Sequence, residues 1–128
     1  MLQVVSTDKA PQAVGPYSQA IIANGFIFVS GQIAINPANG QLNTGSTAEQ
    51  TKQVLKNITA VLESVGSGLS AVVKTTVYLK DLKDFEIMNQ TYGEFFTQTK
   101  PARATVEVAR LPKDVSVEID AIAVHIPV

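Results

Sequence analysis

The stretch Pro101-Ala-Arg-Ala-Thr-Val-Glu-Val-Ala-Arg-Leu-Pro-Lys-Asp-Val-Ser-Val-Glu-Ile-Asp-Ala-Ile-Ala123 holds two runs of alternating polar and apolar residues, 105–108 and 115–121. Between them Leu111-Pro112-Lys113-Asp114 carries turn chemistry. The spacing predicts two half-buried strands joined by a tight connection. Side chains on a strand alternate, so Arg103, Thr105 and Glu107 share one face and Ala104, Val106 and Val108 the other. In the second run Ser116, Glu118 and Asp120 oppose Val117, Ile119 and Ala121. A hairpin folded symmetrically about Leu111-Pro112 would set Glu118 beside Thr105, with Arg103 one pleat step away. A guanidinium and a carboxylate would then face one small space. Such a space suits a molecule with a carboxylate at one end and an electrophilic carbon at the other.

Upstream of this stretch, Phe85, Met88, Tyr92, Phe95 and Phe96 recur at helical spacing, behind Asp81 or Asp84 as the cap. This aromatic stripe reads as core. Asn89 lies at its border. Residues 72–79 are β-branched and apolar, as expected of an interior strand. Ser46-Thr-Ala-Glu49 is a capping box that opens a helix on Val54, Leu55, Ile58, Val61, Leu62 and Val65, closed by Gly66. Asn24-Gly25 separates the apolar runs 19–23 and 26–30, a strong hairpin signal because both residues tolerate positive φ. Ser30-Gly31 ends the second run, where glycine lets a backbone N–H approach a neighbour closely. Residues 9–16 form a loop with two prolines and a glycine, and Tyr17 stands at its end. Residues 2–5 read as an edge strand. The order is β-β-β-α-β-α-β-β. Right-handed crossovers put both helices on one face of a single mixed sheet, which leaves the other face bare. A bare six-stranded face exceeds what a monomer usually exposes, so it calls for a partner.

The chain has 128 residues, 45% of them hydrophobic and 16% charged, which is enough for one globular domain spanning 1–128 and too few for two. The net charge is −1 and there is no basic block, so nucleic acid is a poor electrostatic partner. Without cysteine, disulfides, thiolate catalysis and cysteine-bound zinc are excluded. The single histidine is His125. No signal peptide or membrane-length apolar run is seen, so a cytoplasmic protein without a membrane is expected.

PARATVEVARLPKDVSVEIDAIA resembles the signature of the Rid family, the reactive-intermediate deaminases of YjgF type. Gly15-Pro-Tyr-Ser-Gln-Ala20, Val29-Ser-Gly-Gln-Ile33 and Asn89-Gln-Thr-Tyr92 extend the resemblance over nearly the whole chain. It implies an α+β fold like that of chorismate mutase, with a six-stranded mixed sheet and two helices on one face, assembling as a homotrimer with sites at the subunit interfaces. It implies hydrolysis of 2-imino acids and their enamine tautomers, such as 2-aminoacrylate and 2-aminocrotonate, to 2-oxo acids and ammonia.

By the same resemblance, Arg103 binds the substrate carboxylate and Glu118 positions or activates water. Tyr17, Ser30, Gly31 and Asn89 line the site, and Thr105 contributes its backbone carbonyl. No metal or cofactor is called for. Protonated imines are already electrophilic, so orientation plus one general base, worth ~10²–10⁴-fold, suffices. Glu118 must be ionised to take a proton, and a nearby Arg103 charge would favour that state. Thr105 stands where the family usually has cysteine. Two other readings compete: a non-enzymatic trimer that binds small carboxylates as a regulator, and an endoribonuclease or translation inhibitor.

Overall fold

A computed structural model describes residues 2–125. The elements run β1 (Gln3–Val5), β2 (Ala20–Ala23), β3 (Phe26–Gln32), α1 (Thr47–Glu63), β4 (Val72–Leu79), α2 (Phe85–Phe95), β5 (Ala102–Glu107) and β6 (Val117–Val124). This is the order expected from the sequence. Local chemistry explains several of the boundaries. Asn24 and Gly25 turn the β2–β3 hairpin with φ of 53° and 83°. Ser46 Oγ caps α1 by accepting from the Glu49 N–H at 3.2 Å. Gly66, at φ 79°, follows the end of that helix.

The six strands form one sheet in the order β1-β2-β3-β6-β4-β5. Only β4 and β5 run parallel; the other pairs are antiparallel. Both helices cover one face. There Val54, Leu55, Ile58, Val61 and Leu62 of α1 and Met88 of α2 pack on Ile27, Val77, Val117 and Ile119 in one core. The α2 stripe is narrower than its spacing suggested: Met88, Tyr92 and Phe96 are buried, but Phe85 is exposed. Asp81 caps a short 3₁₀ turn ahead of α2, accepting from Lys83 N–H at 2.9 Å. Asp84 instead accepts from Thr47 Oγ1 at 2.9 Å, tying the start of α2 to the start of α1. The opposite face of the sheet is bare, with Val4, Phe28 and Val106 at 63%, 44% and 41% exposure.

The expected hairpin of β5 on β6 does not form. β4 lies between them, pairing β5 on one side and β6 on the other. The reason is α2, which carries the chain back so that β5 enters parallel to β4 on its outer edge. The link 108–116 must then pass the end of β4 to reach the slot beside β3. It is pinned on the way: Val108 N–H donates to Leu79 O and Lys80 N–H to Ser116 O, both at 3.0 Å. Lys113 and Asp114 turn it with φ of 55° and 58°.

Candidate functional site

The two strands separated by β4 also present their side chains to opposite faces. Arg103 is in register with buried Thr75, and Thr105 with buried Val77, so both look toward the helices. Glu118 is in register with Tyr78 and points to the bare face, between buried Val117 and Ile119. The shared Arg103–Glu118 space expected of the hairpin is therefore absent within one chain. Each residue instead sits in its own half-site.

The first half-site is a cavity of about 600 Å³ lined by Tyr17, Gly31, Gln32, Lys113 and Glu118 on a largely apolar wall that includes Val14, Ile33, Ile35 and Leu42. A bulge in β3 shapes it. Val29 faces Ala121 and Gln32 faces Ile119, so Ser30 and Gly31 together stand opposite Asp120. An alanine methyl at position 31 would collide with Glu118 Oε2 and come within 3.0 Å of its Cδ. Glycine at this bulge is what gives the carboxylate its room. Ser30 does not line the cavity: its hydroxyl donates to Ser18 O at 2.6 Å and fixes the bulge to the preceding loop. Tyr17 is half exposed, and its Oη accepts a long 3.5 Å bond from Val14 N–H. Burial, and then the charge of Asp120, raise the pKa of Glu118 above the ordinary carboxylate value. The expectation that Arg103 would hold Glu118 ionised is thus reversed in the single chain.

Two residues that sequence reading passed over build the cavity's walls. Buried Gln19 donates to Thr7 O at 3.0 Å and Pro11 O at 2.8 Å, and accepts from Thr7 N–H at 2.7 Å, fastening the first loop. Asn57 on α1 donates to Ile33 O at 3.2 Å and Ile35 O at 2.9 Å, holding the opposite wall. The signal for both was polarity inside an otherwise apolar run, which backbone-bonded amides satisfy.

The second half-site lies at the sheet's other edge. The Arg103 guanidinium stacks 4.8 Å from the Tyr92 ring centroid and 5.6 Å from that of Phe85. Tyr92 is held in turn by a 2.7 Å hydrogen bond between its hydroxyl and Thr75 Oγ1. So the aromatic stripe is only partly core; two of its rings aim the guanidinium. Their spacing of seven along one helix face was the available sign. The ion pairs among the described residues are Lys80–Asp114 and Lys83–Asp81, so the Arg103 fork keeps its donors free of a carboxylate. Asn89 is exposed on α2, one turn from both Phe85 and Tyr92, and so borders this half-site. Thr105 Oγ1 is buried without a hydrogen-bond partner among the described residues. His125 lies apart from both half-sites, with Nε2 at 3.2 Å from Val65 O. Among the described residues, no His, Asp and Glu cluster is placed to hold a metal ion, and no helix is long and apolar enough to cross a membrane.

Comparison with known proteins identifies relatives across the whole chain. The family profile described as Endoribonuclease L-PSP matches residues 7–125. A RutC family protein of Pyrococcus abyssi is 57% identical over 94% of this chain and 95% of its own. The human protein named 2-iminobutanoate/2-iminopropanoate deaminase is 47% identical over 98% of this chain and 91% of its own. Among solved structures, a Yersinia pestis protein of the conserved Rid family superposes with a TM-score of 0.95 at 46% identity, covering 97% of this chain and 99% of that one.

Proposed function

The chain belongs to the Endoribonuclease L-PSP family, which includes the Rid and YjgF proteins, and from that premise we propose that it is a 2-iminobutanoate/2-iminopropanoate deaminase. The observation that carries the reading is the Glu118 carboxylate, half-buried beside Tyr17 and Gly31 in a cavity with apolar walls. A carboxylate so placed can take a proton from water as it adds to an imine carbon. The Arg103 fork matches the substrate's carboxylate in two-pronged geometry. Human, bovine and rat relatives at 47%, 48% and 49% identity carry the deaminase name, which supports this chemistry here.

The separation of Glu118 from Arg103 makes the site a composite. In our reading the bare sheet face packs against two further copies, forming a cytoplasmic homotrimer. The cavity of one copy then meets the Arg103, Thr105 and Asn89 edge of the next. Tyr17 and Glu118 share a cavity within one chain, so Arg103 is the residue a neighbour has to supply. A neighbour's guanidinium would also counter the burial that favours protonated Glu118.

The test is a coupled assay. A dehydratase generates 2-aminoacrylate or 2-aminocrotonate, and oxo-acid release is timed with and without this protein. Wild-type protein should accelerate release, and Glu118→Gln should slow turnover while substrate still binds. Release no faster than the uncatalysed reaction would leave the carboxylate-binding regulator as the better reading. The family profile's own name favours a ribonuclease reading. The net charge of −1, and a lone histidine remote from both half-sites, weigh against it.

A further inference from the structure

Glu118 shares its face of the sheet with a second carboxylate. Asp120 follows two residues along β6, and residues two apart on a strand point the same way, about 7 Å apart along the chain. Tyr78 of β4 is in register with Glu118, yet its hydroxyl reaches diagonally and donates to Asp120 Oδ2 at 3.0 Å. The tyrosine therefore holds the second carboxylate beside the first. Thr76 of β4 is in register with Asp120, and Lys74 with Ile122 beyond it. On β3, Gly31 has no side chain and the Ser30 hydroxyl is committed to Ser18 O. Tyr17 and Lys113 approach Glu118 from the cavity side. Lys80, just past the end of β4, is paired with Asp114 at 3.0 Å. Arg103 of the same chain is on the opposite face, and in the proposed assembly a neighbour's Arg103 would face the cavity and oppose the effect of Asp120. Asp120 is thus the nearest anion on Glu118's own face, and its charge, after burial, is what pushes the Glu118 pKa up.

We propose that Asp120, anchored by the Tyr78 hydroxyl, is a positioning residue that sets how firmly Glu118 keeps its proton, so that one carboxyl serves both halves of the hydrolysis. This rests on the deaminase reading. In the first half, water oxygen bonds to the imine carbon, the C=N electron pair moves to nitrogen, and a water proton passes to the Glu118 carboxylate. In the second, Glu118 returns that proton to the carbinolamine nitrogen. The C–N bond then breaks, the carbonyl forms as the hydroxyl proton returns to Glu118, and the departing ammonia takes that proton to leave as ammonium. An enamine needs a proton on its β-carbon first, and protonated Glu118 supplies it, leaving a carboxylate and a protonated imine. A glutamate with the ordinary pKa of about 4.3 is almost wholly ionised at neutral pH and is a poor donor for these steps.

The test follows the Glu118 carboxyl directly, by carbon-13 NMR titration of the intact assembled protein, alongside the pH profile of kcat/KM. Asp120→Asn should lower the Glu118 pKa by about half a unit or more, from a unit charge some 6–7 Å away. It should move the acid limb of the profile down by the same amount. Asp120→Glu should restore most of the wild-type value, and Tyr78→Phe, which frees Asp120 without removing its charge, should give a smaller shift in the same direction. An unchanged or higher Glu118 pKa in Asp120→Asn overturns the proposal. So does an acid limb that stays in place while the NMR titration moves. Failure of the deaminase reading looks different: wild-type protein would be inactive, while the titration would still show whether Asp120 acts on Glu118.

Discussion

Arg103 and Thr105 sit two residues apart on one face of β5 and make opposite demands. Arg103 is poised by aromatic rings, so its loss should cost little stability, about 1 kcal/mol or less for the stacking contacts. We expect Arg103→Ala to abolish deaminase activity with an unchanged circular dichroism spectrum. Arg103→Lys should recover little, because an ammonium cannot reproduce a planar two-pronged contact. Normal kinetics in the lysine variant would show that charge alone matters there. Thr105 buries a hydroxyl that finds no hydrogen-bond partner among the described residues. Thr105→Cys should therefore be neutral or stabilising by about 1 kcal/mol in thermal unfolding. Its activity should change by less than about tenfold, since only the backbone carbonyl is assigned a role. A much larger gain would mean that a side-chain thiol contributes to the chemistry.

Among the elements, β3 matters most to the site because its bulge gives Glu118 its space. Removing the extra residue would restore regular pairing and return side chains to the space above β6. Gly31→Ala tests this with one carbon. The atom it meets is the tip of a flexible side chain, so the fold should survive while Glu118 turns away. We expect kcat to fall at least about tenfold and the melting temperature to shift little. Full activity would show that Glu118 works from another rotamer. The β4–α2–β5 unit has the complementary effect. By sending β5 to the outer edge of β4, it removes Arg103 from the cavity that its sequence neighbourhood suggested.

In the composite site proposed above, the Glu118 cavity and the Arg103 edge are two halves that a ring of copies would join. Arg103→Ala keeps the cavity intact, and Glu118→Gln keeps the guanidinium edge intact. Each homotrimer should be inactive or nearly so. Unfolded and refolded together in equal amounts, they should form mixed rings in which about one seam in four joins an intact cavity to an intact Arg103. Activity should then return in part. If both walls came from one chain, mixing would restore nothing, because neither chain carries both residues. Sedimentation of the wild type as a monomer would rule out the composite site before any mixing.

Local pattern alone determined the element order, the Asn24-Gly25 hairpin, the Ser46 cap and the alternation of side chains within β5 and within β6, but not which face of the sheet each set occupies. These depend on periodicity and on interactions within a few residues, which any fold of this chain must respect. Family resemblance drew attention to Tyr17, Ser30, Gly31, Asn89, Arg103, Thr105 and Glu118 as a group. Tertiary structure alone decided which of them meet. Strand neighbours are chosen by crossover topology and by which hydrophobic faces can be buried together, so adjacency along the chain misled for β5 and β6. The same long-range packing decided that Gln19 and Asn57 would be spent on loop carbonyls. It also placed Tyr92 under the Arg103 guanidinium and set the Tyr78 hydroxyl on Asp120. Each of those relations joins residues whose separation in sequence carries no signal of their distance in space.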